Sequence, residues 1–150
     1  MALVQCTFFG NTGAEGSAIS LRGVCGEPAT IENTIIAFNF GGEAIDVFYE
    51  EPGVAELRCC DIFGNEGGDW TGVIVDQLGV NGNISADPFF CDPADGDFHL
   101  HSNSPCAPGQ SQDCGLIGAW DVGCGSTPAT ETTWGAVKRL FGEPARQLRL

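Results

Sequence analysis

The segment from Asp87 to Gly109, DPFFCDPADGDFHLHSNSPCAPG, places four aspartates, two histidines and two cysteines within 23 residues. Such side chains could bind a metal ion, act as an acid and base pair, or form turns at the end of a fold. Asp92, Asp95 and Asp97 are the candidate calcium ligands, because calcium takes about six to eight oxygen atoms. Their spacing does not match an EF-hand loop, and Asp-Pro and Asp-Gly pairs are typical of turns. We therefore predict turns here and no resident cofactor, with calcium as the one alternative.

The two histidines of this segment are the only ones in the chain. His99 and His101 are two residues apart, so on a strand they lie on the same face. They could supply two ligands to a metal ion, but the chain has no third histidine to complete the set. We expect an exposed pair on a strand.

The composition describes a single acidic globular domain. The chain has 150 residues, 43% of them hydrophobic, and carries 20 acidic against 6 basic residues for a net charge of −14. A nucleic-acid partner is excluded by the shortage of lysine and arginine, which neutralise phosphates. No apolar run is long enough to predict a membrane span. The net charge is compatible with cations, with basic partners or simply with solubility.

A repeat positions the candidate residues. The segments VQCTFFGNTG, ENTIIAFNFG and RCCDIFGNEG each end in Asn-x-Gly, at Asn11, Asn39 and Asn65, with spacings of 28 and 26 residues. Short apolar pieces follow at 17–21 and 43–47, with a weaker one at 69–75. A period in the twenties indicates a solenoid, and pieces rich in Ile, Val, Phe and Thr between turn residues indicate strands. The sequence predicts a parallel β-helix in which the three asparagines stack as a ladder at one turn.

The coils resemble those of a known superfamily. TIENTIIAFNFGGEAI and LRCCDIFGNEGG resemble coils of the right-handed parallel β-helix proteins of the pectate-lyase-like superfamily. NGNISADPFFCDPADGDFHLHSNSPCAPG followed by CGLIGAWDVGC resembles the closing coil of many secreted bacterial β-helix proteins. The resemblance covers roughly residues 1–124. It implies an all-β, short right-handed parallel β-helix of about four coils, closed by a disulfide-bearing C-terminal cap and followed by a short helical tail.

The resemblance also implies what catalysis would require. Polysaccharide-cleaving members use clustered carboxylates, either with calcium and a basic residue or as an acid and base flanking a glycosidic bond. The coils supply only Arg22 and Arg58 as basic residues, and no carboxylate pair matches such a signature. We therefore name no catalytic residue. The expected function is a non-catalytic module for carbohydrate binding, adhesion or architecture, and the alternative is a fragment of a polysaccharide lyase or glycoside hydrolase.

The chain holds eight cysteines and no CxxC pair, so disulfides in an oxidising compartment are the favoured interpretation over a zinc site. The candidates lie in the closing segment: Cys91, Cys106, Cys114 and Cys124. A Cys106–Cys114 bridge would close a small ring and a Cys91–Cys124 bridge would tie the last coil to the exit of the chain, but four cysteines allow three pairings.

Localisation and partners follow from these expectations. Because MALVQCTFFG shows no signal peptide, we expect either the C-terminal part of a secreted or cell-envelope protein or a reducing compartment with free thiols. The expected partners are a polysaccharide, or a second copy through the unpaired strand edges of the first coil. Residues 125–133 are expected to be a linker, and 134–150 a short amphipathic helix or a disordered tail.

Overall fold

The computed structural model describes residues 1–22, 28–48 and 55–125 and shows a nearly all-β parallel solenoid of about four turns. The expected linker and tail, 125–133 and 134–150, lie outside these residues except for Gly125. Within the same ranges, the only helices are three short 3-10 helices, and none of them is long enough to cross a bilayer.

Across the described ranges, thirteen short strands make up the sheets. They are β1 (Ala2–Val4), β2 (Thr7–Phe9), β3 (Thr12–Gly13), β4 (Ile19–Leu21), β5 (Ala29–Glu32), β6 (Ile35–Ala37), β7 (Phe40–Gly41), β8 (Ile45–Val47), β9 (Ala55–Arg58), β10 (Asp61–Phe63), β11 (Phe90–Asp92), β12 (Asp97–His101) and β13 (Val122–Cys124). The 3-10 helices are η1 (Gly72–Gln77), η2 (Pro93–Asp95) and η3 (Gln112–Cys114).

The coils stack in the register of the sequence repeat. In the sheet β2–β6–β10, Thr7 pairs with Ile35, 28 residues on, and Ile35 pairs with Asp61, 26 residues on, all in parallel. The sheet β1–β5–β9 keeps the same two offsets, and Asp61 forms one further parallel bridge to Ile84 in the fourth turn. The offsets equal the spacing of the Asn-x-Gly repeats, so one repeat is one coil.

Left-handed backbone conformations recur at the corners between strands. Gly10, Phe38 and Gly64 have φ of 67°, 56° and 68° and directly precede the three asparagines of the repeat. A phenylalanine in this conformation is uncommon. The Phe38 ring contacts Phe9 and Phe63 edge-on, at centroid distances of 5.7 Å each, which compensates for the strained backbone.

The inner core runs along the solenoid and is covered at the third coil. Ile31, Ile36 and Ile62 are fully buried inside the coils, and Trp70 and Ile74 close the cluster at its end. The prediction of a strand-like segment at 69–75 is wrong, because the 3-10 helix η1 begins at Gly72 and occupies most of this segment. The Gln77 amide then completes the edge of β9, accepting from the Leu57 N–H at 2.8 Å and donating to the Ala55 carbonyl at 2.8 Å.

The closing segment lies along the side of the solenoid. Its sheet, in the order β11–β12–β13, belongs to a second core, which packs on the outer face of β2–β6–β10 through Phe90 and Leu100. Gly118 donates to the Asn33 carbonyl at 2.7 Å, and the Ala119 N–H donates to Thr7 Oγ1 at 3.0 Å. The expectation of a final coil stacked on the others is therefore replaced by a lateral cover that reaches back to the first coil.

The disulfides differ in part from expectation. Cys91 pairs with Cys124, joining β11 to β13 as expected. The Cys106–Cys114 bridge is wrong, because Cys114 pairs with Cys59 of the third coil and Cys106 is a buried free thiol. The lateral position of the cover explains this pairing, since it brings Cys114 beside the coil corner that carries Cys59.

Candidate functional site

The asparagine ladder is a structural feature of the interior. Asn39 Oδ1 accepts from the N–H of Asn11 at 2.9 Å and from its Nδ2 at 3.0 Å. Asn65 Oδ1 accepts in the same way from Asn39, at 3.0 Å and 2.8 Å. Asp69 Oδ1 ends the ladder, accepting from the N–H and Nδ2 of Asn65 at 2.8 Å and 2.7 Å. The ladder satisfies backbone groups at one corner and leaves no buried amide for a ligand.

A second polar column runs through the preceding corner. Thr34 Oγ1 accepts from the Cys6 N–H at 3.3 Å, and Asn83 Oδ1 accepts from the Cys60 N–H at 3.0 Å. Asn83 begins an Asn-Ile-Ser tripeptide, the acceptor pattern for N-glycosylation. Because its side chain is 2% exposed and also donates to the Leu57 carbonyl, it is not an acceptor in the folded chain.

The acidic residues of the closing segment form turns. Asp92 Oδ1 accepts from the Asp95 N–H at 3.4 Å at the start of η2, and Gly96 follows with φ of 80°. Asp97 Oδ1 accepts from the His99 N–H at 3.1 Å and lies 2.7 Å from His99 Nδ1. Asp92, Asp95 and Asp97 are not brought together as a ligand set among the described residues, where the group close enough to share an ion is Cys91, His101 and Cys124.

Asp61 and Cys106 form a buried polar pair behind the cover. Cys106 Sγ lies 3.1 Å from Asp61 Oδ2, and the Ala86 N–H donates to Asp61 Oδ1 at 3.0 Å. Burial raises the pKa of Asp61 from 3.8 to about 7, and burial together with the Asp61 charge raises the pKa of the Cys106 thiol. Neither side chain is exposed to solvent, so the pair is structural and cannot meet a substrate in the folded protein.

A shallow cavity of about 300 Å³ opens on the solvent side of the closing sheet. Asp95, Asp97, His99 and Trp120 supply its polar and aromatic walls. The Trp120 indole is 49% exposed and meets the His99 ring edge-on, with the centroids 5.1 Å apart. Hydrogen bonds from His99 lower the pKa of the Asp97 carboxyl, so Asp97 is ionised at neutral pH and holds the imidazole in place.

Two local features position this cavity. The turn through η2 and Gly96 leads into β12 and orients Asp97 and His99 towards solvent. On the neighbouring strand β13, a Cβ on Gly123 would lie 2.5 Å from His99 Cβ, so glycine is needed for β13 to lie this close to the histidine. The sequence pattern indicated the acidic turn and His99 but not Trp120, which is a lone tryptophan in a loop 21 residues further along the chain.

The chain was compared with protein-family models, with curated proteins and with solved structures, and none of them matches it. The class of protein is therefore defined by its own architecture: a disulfide-bridged parallel β-solenoid with a lateral C-terminal cover.

Proposed function

We propose that this β-solenoid is a non-catalytic carbohydrate-binding module of a secreted or cell-envelope protein, with Trp120, His99 and Asp97 as its binding residues. The observation that carries the proposal is the exposed Trp120 indole beside the Asp97–His99 pair in an open cavity. Ligand sites combine an aromatic surface with a few fixed polar groups, and a tryptophan offers both an apolar face and an N–H donor. A sugar ring presents the matching surfaces, an apolar face of C–H groups and a rim of hydroxyls.

The size and charge of the cavity narrow the ligand. A volume of about 300 Å³ is at the lower end of the range of roughly 300–1,000 Å³ for small-molecule sites, which suits one or two sugar units at a chain end. Asp95 and Asp97 place negative charge at its wall, and the whole chain carries −14. Like charges repel, so we propose neutral glycans over polyuronates.

The alternative is a fragment of a polysaccharide lyase or glycoside hydrolase, which needs an acid and base pair at the sugar. A lyase also needs a basic residue to abstract a proton, and no lysine or arginine lines this cavity. A hydrolase needs two available carboxylates, and of the two aspartates here Asp97 is engaged by His99. This arrangement favours binding over cleavage.

The proposal also includes a secreted or cell-envelope location and association with a second copy of the chain. Two disulfides among the described residues are typical of an oxidising compartment, which supports a secreted or cell-envelope location. Along the first coil, β1 and β2 each pair on one side only within the described sheets, so a second copy pairing there remains a prediction.

Affinity electrophoresis through gels that contain a neutral polysaccharide or a polyuronate tests the proposal. The matched variants are Trp120→Ala and Phe40→Ala, the latter removing an aromatic ring of similar exposure, 51%, on β7. We expect the wild type and F40A to be retarded by at least one neutral polysaccharide. We expect W120A to bind it at least about tenfold more weakly, as for a central aromatic contact.

Two outcomes would contradict this function. If W120A binds as well as F40A, or if the wild type is retarded by none of the neutral polysaccharides, the assigned site is wrong. If the same mixtures release reducing ends or unsaturated products over time, the chain is an enzyme and the alternative holds.

A further inference from the structure

Three side chains with soft or borderline donor atoms converge on the closing sheet, apart from the carbohydrate cavity. Cys91 lies on β11, His101 on the central strand β12 and Cys124 on β13. His101 pairs in register with Cys124, and its N–H donates to the Phe89 carbonyl at 2.9 Å at the start of β11. Each of the three is partly buried, and one donor atom from each lies within 4.8 Å of the others.

We propose that reduction of the Cys91–Cys124 disulfide converts this cluster into a binding site for a zinc-class divalent ion. The two thiolates and the His101 imidazole would supply three ligands and leave a fourth position for water. Around a tetrahedral zinc ion, with bonds of about 2.3 Å to sulfur and about 2.0 Å to nitrogen, such ligand atoms lie about 3.5–3.8 Å apart. In the oxidised chain the two sulfurs are bonded to each other and the His101 donor atom lies within 4.8 Å of both. On reduction the sulfurs must move apart to reach the tetrahedral spacing, which rotation of the two cysteine side chains on β11 and β13 can supply.

The hydrogen bonding of His101 favours the ligand form of the ring. Its Nδ1 hydrogen-bonds to the Gly125 carbonyl oxygen, which can only accept. Nδ1 therefore carries the proton, and Nε2 keeps the lone pair that a metal requires. Metal-binding histidines commonly donate from the other ring nitrogen to a carboxylate, a backbone carbonyl or a water.

The chemistry balances with a dithiol as the reductant. The dithiol reduces the Cys91–Cys124 bond by two electrons, giving two cysteine thiols, and is itself oxidised to a disulfide. Each thiol then loses its proton as its sulfur binds the ion, so metal uptake releases up to two protons. In the oxidised chain the sulfurs share a bond and offer no thiolate, which makes the disulfide and the metal mutually exclusive.

The sequence does not reveal this metal site, because its ligands lie at positions 91, 101 and 124 and do not form the closely spaced pairs of common zinc motifs. It does not depend on the proposed carbohydrate binding. Its consequence is that β11 and β13 remain cross-linked in both redox conditions, by a disulfide when oxidised and by a metal when reduced.

Titration with cobalt(II) tests the proposal, because cobalt in a tetrahedral thiolate site gives intense visible bands and a sulfur-to-metal charge-transfer band. The full chain is reduced with a trialkylphosphine, which becomes the phosphine oxide, and is compared with the untreated chain. His101→Ala and His99→Ala are matched variants on the same face of β12. We expect one cobalt per reduced wild-type chain, the same metal signal in H99A, at least tenfold weaker binding in H101A, and no signal in the oxidised chain.

The reduced chain also frees the thiols of Cys59 and Cys114, so the comparison is repeated in a Cys59→Ser, Cys114→Ser background. There the difference between H99A and H101A should persist. Equal cobalt binding by H101A and H99A, an equal signal from the oxidised wild type, or no cobalt uptake by the reduced wild type would each overturn the proposal.

Discussion

Asp61 should make the fold less stable as the pH rises through neutrality. Asp61 is the first residue of β10, and its carboxyl is fully buried against Cys106 of the lateral cover. Burial raises its pKa from 3.8 to about 7 against the opposing effect of two hydrogen bonds. Asp69 and Asp87 add negative charge nearby and act in the same direction. The folded state therefore binds this proton more tightly than the unfolded chain does. Its contribution to stability is complete below about pH 4, is lost progressively up to about pH 7, and is absent above that.

The size of the effect follows from the two pKa values. A difference of about three pH units corresponds to about 4 kcal/mol in the free energy of unfolding, at ~1.4 kcal/mol for each unit. That is a large share of the roughly 5–15 kcal/mol that stabilises an ordinary domain. Asp61→Asn imitates the protonated carboxyl: its Oδ1 can accept from the Ala86 N–H and its Nδ2 can donate to Cys106 Sγ. The variant should match the wild type near pH 4 and exceed it in stability by up to about 4 kcal/mol at pH 8.

Urea unfolding of the disulfide-intact chain, followed by far-ultraviolet circular dichroism from pH 4 to pH 8, measures this difference. Asp76→Asn is the matched control, because Asp76 is exposed on η1 and its substitution removes the same charge. The difference between D76N and the wild type should change little with pH. If the difference between D61N and the wild type is also constant over this range, the assignment of a buried, protonated Asp61 is wrong.

Two further predictions concern the interior. Asn39→Ala should lower the free energy of unfolding by about 3 kcal/mol, since it leaves buried backbone partners such as the Ala37 carbonyl without this donor. Asn11→Ala, at the exposed end of the ladder, should cost about 1 kcal/mol. Equal losses in denaturant melts would contradict the ladder. Thiol labelling with a disulfide reagent, in a Cys25→Ser background, tests the burial of the free cysteines. In the native state the reagent should modify Cys6, which is partly exposed, and leave Cys60 and Cys106 unmodified until denaturant is added. Both of these thiols are buried, and burial raises their pKa, that of Cys60 to about 11. Rapid native labelling of three thiols would refute their burial.

The coils could be predicted because their signals are local and periodic. Asn11, Asn39 and Asn65 occupy one corner in successive repeats, and the spacing of 28 and 26 residues is also the strand register. The short apolar pieces between turns have the length and composition of strands. Each of these sequence signals lies within a single repeat and recurs in the next repeat.

The closing segment was harder to predict because its contacts are long-range. Spacing left a small Cys106–Cys114 ring open as one of three pairings within the closing segment, yet Cys114 reaches Cys59 across 55 residues because the cover runs along the side of the coils. Asp61 stands in an ordinary repeat, and its buried carboxyl contacts Cys106 of the cover, 45 residues further along the chain. Trp120 meets His99 through the register of β13 on β12, which no short pattern encodes.

The bond from the Ala119 N–H to Thr7 Oγ1 spans 112 residues, and this has a consequence for synthesis on the ribosome. At roughly 5–20 residues per second, at least about six seconds and up to about twenty separate the emergence of its two ends. For most of that interval the outer face of β2, with Phe9, lacks its partners Phe90 and Phe98, which emerge only shortly before Ala119. The first coil therefore stays partly uncovered until almost the whole of the described chain has been synthesised. Slowing translation before Phe90 would prolong the period in which this aromatic face can aggregate.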